Sequence, residues 1–163
     1  QSGDTTGFDY SPNGVVEKMP NTNKYTLSFD GVGWDGERGD GWIRVVNPTD
    51  GPLSLYLGYM TTSPRPSLYP ITKVWIESLD DDGNVVDVSD AFVLDPNAVS
   101  DYENAKVHIS RIANVGVVHP GYSFVRFQQV EQTERPFRLV SVMITTESVG
   151  SQLSASIPGG NEN

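Results

Sequence analysis

Cysteine is absent from this chain. Disulfides and thiolate metal sites are therefore excluded, and the stability of the fold has to come from core packing or assembly. Basic residues are scarce: 11 Lys and Arg stand against 21 Asp and Glu, a formal net charge of −10. A surface of that sign repels phosphate backbones, so nucleic acid is not an expected partner. No apolar run approaches the roughly 20 residues that a membrane-spanning helix needs, and no signal peptide is visible. The chain starts at Gln1 rather than Met, which suggests a processed mature end. There are two histidines, His108 and His119, in different segments and without an H-E-x-x-H pairing. A zinc site would have to borrow carboxylates that nothing in the pattern assembles. The G-x-S-x-G elbow is missing, and the glycine pairs do not sit between a strand and a helix, so neither a nucleophile elbow nor a phosphate loop is expected. No N-x-S/T sequon exists, because Pro48 spoils Asn47-Pro48-Thr49.

What is present points to strands. The 163 residues make one domain's worth of chain, and 37% hydrophobic and 10% aromatic residues are enough for a packed interior. With 16 Gly and 11 Pro the chain is rich in turns rather than long helices. Trp42, Arg44 and Val46 alternate with Ile43 and Val45, and Leu53, Leu55 and Leu57 alternate with Ser54 and Tyr56. That period of two is the strand signature, and Asn47 to Gly51 between the runs reads as the turn of a hairpin. Tyr25, Leu27 and Phe29 form another half-buried strand. Thr72 to Leu79 and Val85 to Val88 read as a second hairpin turning at Asp82-Gly83. Lys106 to Ile112, Val115 to Val118, Tyr122 to Val130, Phe137 to Thr146 and Gln152 to Ile157 complete the series. Asp95-Pro96 could open one short helix over Asn97 to Ala105. About eight to ten short strands with turns between them predict an antiparallel β-sandwich or jelly roll. The expected organisation is an extended segment over 1–23, the sandwich over 24–157 and a tail over 158–163.

Few side chains invite chemistry. Asp80, Asp82 and Asn84 cluster as oxygen ligands do for calcium, but the D-x-D-x-D-G spacing and later Glu of an EF-hand loop are missing. A hairpin tip with solvated charges is the preferred reading, and calcium is the one candidate ion. Asp35, Glu37 and Asp40 form a second acidic loop. Trp34, Trp42, Trp75 and the tyrosines could form a sugar-stacking face, although aromatic residues of sandwiches more often lie in the core or at interfaces. Trp75 alternates with Lys73 and Glu77, which puts all three on an outer face and marks an interface or ligand platform. No catalytic residue is assigned, and the chain is not expected to be an enzyme.

Gly39, Asp40, Trp42, Ile43, Val45 and Asn47, followed by a small turn and then Leu53, Leu55 and Leu57, resemble the TasA/camelysin family of secreted fibre subunits. The Pro120-Gly121 turn leading into Tyr122 to Phe127 is similar to that family as well. So is the last core strand, Val142 to Glu147, with its tail to Gln152. The resemblance covers residues 25–60 and 115–152. It implies an exported jelly-roll subunit that polymerises by donor-strand complementation, as archaeal bundling pili do. Camelysin's proteolysis is not carried over, since no zinc motif is present. On this reading the partner is a second copy of the chain, the location is extracellular, and the candidate donor residues are Phe8, Tyr10, Val15 and Val16. They are large apolar groups in a segment with little structure of its own, where a free tail would not need them. Gln152 to Ile157 is the second candidate donor. Trp42, Leu55 and Trp75 are the candidate groove or interface residues. A calcium- or carbohydrate-binding sandwich module and a viral capsid-type jelly roll are the alternatives.

Overall fold

A computed structural model describes residues 8–19, 25–30, 40–63, 67–97, 107–146 and 152–156. In chain order its strands are β1 (Phe8–Tyr10), β2 (Gly14–Lys18), β3 (Tyr25–Phe29), β4 (Gly41–Asn47), β5 (Leu53–Ser63) and β6 (Thr72–Leu79). They continue with β7 (Val85–Val88), β8 (Phe92–Leu94), β9 (Val107–Val118), β10 (Gly121–Gln129), β11 (Leu139–Thr145) and β12 (Gln152–Ser156). Sheet I runs β1-β4-β10-β6-β7, with β8 also pairing β6. Sheet II runs β2-β3-β11-β5-β9, with β12 also pairing β11. All strand pairs among the described residues are antiparallel, so the expected antiparallel β-sandwich is the fold. The expected helix at 97–105 falls almost wholly outside the described residues; Asn97 itself makes an isolated bridge to Thr62.

Among the described residues there are twelve strands, against an expectation of eight to ten. Part of the surplus comes from two shared edges. On β6, β8 pairs with Thr72 to Val74 while β7 pairs with Glu77 to Leu79. On β11, β3 pairs at Leu139 and β12 at Ser141 to Thr145. In contrast, the two runs read between Lys106 and Val118 are one strand, bent where Gly116 and Asn114 oppose Leu55 and Tyr56.

The hairpin read at 42–57 is corrected by the structure. β4 pairs with β1 and β10 in sheet I, and β5 pairs with β9 and β11 in sheet II. The link at 48–52 therefore arches from one sheet to the other. Period two shows that two runs are strands, but not whether the turn between them folds back in plane or crosses the sandwich. A second crossing lies beside the first. β9 ends at Val118 opposite Leu53, and β10 begins at Gly121 opposite Asn47. Gly121 takes φ +96° there, a conformation that glycine adopts without strain. Buried Asn47 ties the two crossings together. Its Nδ2 donates to the carbonyls of Gly51 (2.9 Å) and Val118 (3.0 Å), and its Oδ1 accepts from the Thr49 backbone N–H (2.9 Å) and hydroxyl (2.7 Å). The Thr72–Val88 hairpin is as expected, with Glu77 opposite Val88.

The core lies between the sheets. Ile43, Val45, Val74, Ile76, Val125 and Phe127 face inward from sheet I, and Leu27, Phe29, Leu53, Leu55, Leu57 and Leu139 from sheet II. Phe29 stacks on Phe127 at 5.4 Å between ring centroids, and Phe127 meets Phe137 at 5.3 Å, so an aromatic column joins the layers. Gly41 has no side chain because the Phe29 ring lies against its backbone. One flank of the sandwich is spanned by β1 and β2, the end strands of the two sheets. Between them Gly14 N–H donates to the Ser11 carbonyl at 2.9 Å, and Asn13 Nδ2 donates at 2.6 Å to the carbonyls of Asp30 and Asp40. The opposite flank is formed by β7, β8 and β9, where Val86 and Ile112 stand 63% and 65% exposed.

Candidate functional site

Sheet I turns its other face outward. Successive side chains of a strand alternate between faces, so the residues between the core positions of β4, β10 and β6 must project there. The registers arrange them in rows. Arg126 of β10 lies opposite Trp42 of β4 on one side and Trp75 of β6 on the other. In the next row Phe124 lies between Arg44 and Glu77. Tyr122 follows, opposite Val46. In the first two rows rings and charges therefore alternate both along and across the strands.

The contacts follow this checkerboard. The Trp42 and Phe124 rings meet at 4.7 Å between centroids with a 59° tilt. The Arg126 guanidinium lies over the Phe124 ring at 5.2 Å, and that of Arg44 over the Tyr122 ring at 4.9 Å. Arg126 Nε donates to Glu77 Oε1 at 2.7 Å, while Trp75 Nε1 donates to Glu77 Oε2 at 3.0 Å. Arg44 Nη2 donates to Asp9 Oδ2 at 2.8 Å. Each arginine thus has both a carboxylate partner and an aromatic face. Side-chain exposure is 20% for Arg126 and 16% for Glu77, against 44% for Arg44 and 49% for Asp9. Tyr122 is half exposed.

The sequence-predicted residues are placed as follows. Trp42 and Trp75 share this outer face, flanking β10. Leu55 does not join them: it is fully buried in the core, because the odd-numbered residues of that stretch of β5 point between the sheets, and it lines no surface. Tyr10 and Val16 pack against the core from β1 and β2 of their own chain, and Val15 is half-buried. Phe8 is opposite Val45 in the β1–β4 ladder. Asp80 holds the β6–β7 turn, its Oδ1 accepting from the backbone N–H groups of Asp82 and Asn84 at 2.9 Å each, around Gly83 at φ +84°. Those bonds are the work of a hairpin tip. Among the described residues no three His, Asp or Glu side chains converge as a metal site would require. Of the second acidic loop and the aromatic candidates, Asp35, Glu37 and Trp34 lie outside the described residues. Asp40 is buried and accepts the Gln129 N–H at 3.2 Å. Of the second candidate donor, β12 pairs with β11 in the same chain, and Ile157 lies outside the described residues.

Sequence reading missed Tyr122, Phe124 and Arg126 as members of the outer face's cluster. Alternation already put them on one side of one strand. The missing information was strand order, since β10 pairs with β4 and β6, both remote from it in sequence.

A shallow depression of about 450 Å³ lies at one end of the sandwich, between the loops holding Leu68, Asn97 and Glu131. Its polar groups brace the loops: Glu131 Oε2 accepts from the Ile71 N–H at 2.9 Å, and Asn97 Oδ1 from the Ser67 N–H at 3.0 Å. Among the described residues no helix is long and apolar enough to cross a membrane.

No protein-family model matches the chain, and no curated protein matches it. Among solved structures it is similar to the enzymatically active domain of bacteriophage CBA120 tailspike protein 4, with a TM-score of 0.38 and 15% identity. The likeness covers 94% of this chain and 19% of that one, so the chain spans about a fifth of its length.

Proposed function

We propose that this chain is a structural subunit of an extracellular filament, a pilus or matrix fibre, whose copies join by donating N-terminal strands. One observation carries the reading. Residues 8–18 supply an end strand to each sheet in turn, β1 against β4 and β2 against β3, with Tyr10 and Val16 packed on the core. Such a clip is held by main-chain ladders and alternate side chains, the bonding by which an extended segment adds to a neighbouring sheet. A second copy's clip makes the same contacts in the same registers. Exchange then costs little beyond the entropy of association, and head-to-tail exchange that does not close generates a fibre. The resemblance of residues 25–60 and 115–152 to TasA/camelysin subunits supports the same reading and the location outside the cell.

The absence of cysteine makes a clean test available. Asp9 lies opposite Arg44 across β1 and β4, a spacing that a disulfide between Asp9→Cys and Arg44→Cys can bridge. Oxidised at high protein concentration, the double variant should give a ladder of covalent oligomers on a non-reducing gel. Negative-stain images of the unmodified chain should show long thin fibres. Closure within single chains, together with an absence of fibres at every concentration, would overturn the proposal.

A further inference from the structure

The outer face of sheet I has a composition that polymer assembly does not require, and we propose that it binds a neutral polysaccharide. The inference is independent of the filament reading. Half-buried Trp42 and Trp75 and half-exposed Tyr122 offer rings of the kind that pack on the C–H faces of a pyranose, while Arg44, Arg126 and Glu77 offer planar, forked hydrogen-bonding groups suited to neighbouring hydroxyls. The row Trp42–Arg126–Trp75 crosses three strands spaced about 4.8 Å apart, so its tryptophans start about 10 Å from each other. That distance, on an open sheet face rather than in a pocket, fits every second residue of an extended chain and not an enclosed small ligand.

Charge selects a neutral polymer. Arg126 is matched by Glu77 at 2.7 Å and Arg44 by Asp9 at 2.8 Å, so neither cation is left to attract an acidic sugar. The whole chain carries −10 and repels polyanions. The rings and arginines of this face are residue types that protein interfaces favour as well, whereas Glu77 in the central rows and Lys73, opposite Gln128 beside them, are types that interface centres deplete. The ring contacts and ion pairs hold the side chains in place before any ligand arrives, which lowers the ordering cost of binding to a flat surface.

Affinity electrophoresis of the full chain tests this. Native gels would contain dextran, mannan, laminarin or hydroxyethylcellulose as neutral polymers, and alginate as an acidic one, at low and high salt. At least one neutral polymer should retard the protein, with little effect of salt. Trp42→Ala and Trp75→Ala should each weaken the retardation by roughly two- to tenfold, the worth of one aromatic contact. Tyr122→Ala, at a half-exposed position that can be truncated without disturbing the core, should weaken it in the same direction with an unchanged circular dichroism spectrum. The proposal fails if no neutral polymer retards the chain, if alginate alone does, or if Tyr122→Ala and every folded tryptophan variant migrate like the parent. It fails equally if the tryptophan variants change the sedimenting mass while no polymer retards the parent, which would make the face a contact between protein surfaces.

Discussion

On β4, β10 and β6 the inward positions are Ile43, Val45, Val125, Phe127, Val74 and Ile76, and the outward positions between and beside them include Trp42, Arg44, Phe124, Arg126, Trp75 and Glu77. The same strands and the same ladders serve both faces, yet the inner one excludes charge and the outer one alternates charge with rings. Strand geometry makes this division possible, because moving one residue along the chain moves the side chain to the other side of the sheet. The core can therefore fix register and stability while its neighbours are chosen for another purpose. The comparison predicts very different costs for truncation on the two sides.

Phe127→Ala should be the most destabilising single change considered. Phe127 is fully buried and touches rings from both Phe29 and Phe137, so its removal opens a hole in the column that joins the layers. A loss of about 3–5 kcal/mol in urea unfolding is expected, typical of buried aromatic truncations. Phe124→Ala, three positions away on the opposite face, should cost clearly less. Equal losses at the two positions would erase the distinction between the faces.

Alkaline pH tests the interior by another route. Tyr59 and Tyr69 are buried, 3% and 1% exposed, and burial pushes both hydroxyls above their usual value of 10. The folded state then keeps protons that the unfolded chain has released. The contribution of these groups is fully present below pH 10 and is lost as pH rises through the raised folded values. Unfolding free energy should fall above pH 10 by up to about 1.4 kcal/mol per pH unit for each tyrosine. Tyr69→Phe should reduce that slope in urea titrations at pH 9, 10 and 11. A parent protein equally stable at pH 9 and 11 would mean that its buried hydroxyls do not titrate differently on folding.

Much of this architecture was legible in the sequence, and for one reason. Alternation along Trp42–Val46, Lys73–Glu77 and Tyr122–Gln128 sorts the residues of each strand into two faces without knowledge of the partner strand, so the face that Trp42 shares with Arg44 and the outward position of Trp75 follow directly. Alternation says nothing about which strands are neighbours. That is why 42–57 looked like a hairpin when it is an arch fastened by Asn47, and why the aromatic face was visible as separate halves but not as one surface. Leu55, a groove candidate on the fibre-subunit reading, lies in a run that is apolar on alternate positions, and a core strand has the same pattern. The strands at 8–18 were obscured by their polar residues: only the sheets they complete give them a hydrophobic side.

The two ion pairs of the outer face sharpen the comparison further, because they have the same chemistry at different depths. Arg126–Glu77 lies between rings in the middle of the sheet, with side chains 20% and 16% exposed, and Glu77 also accepts from Trp75. Arg44–Asp9 lies near the edge, with side chains 44% and 49% exposed. Partial desolvation strengthens a charge-assisted hydrogen bond, while solvent and salt screen the exposed pair. Double-mutant cycles with Arg126→Ala and Glu77→Ala, and with Arg44→Ala and Asp9→Ala, isolate each coupling. The central pair should couple by about 1–2 kcal/mol and hold most of that in high salt. The edge pair should couple by about 0–0.5 kcal/mol at low salt and by nothing measurable at high salt. If the edge pair proved the stronger, burial between rings would not be what organises this face, and the β1–β4 edge would be held by charge rather than by its ladder.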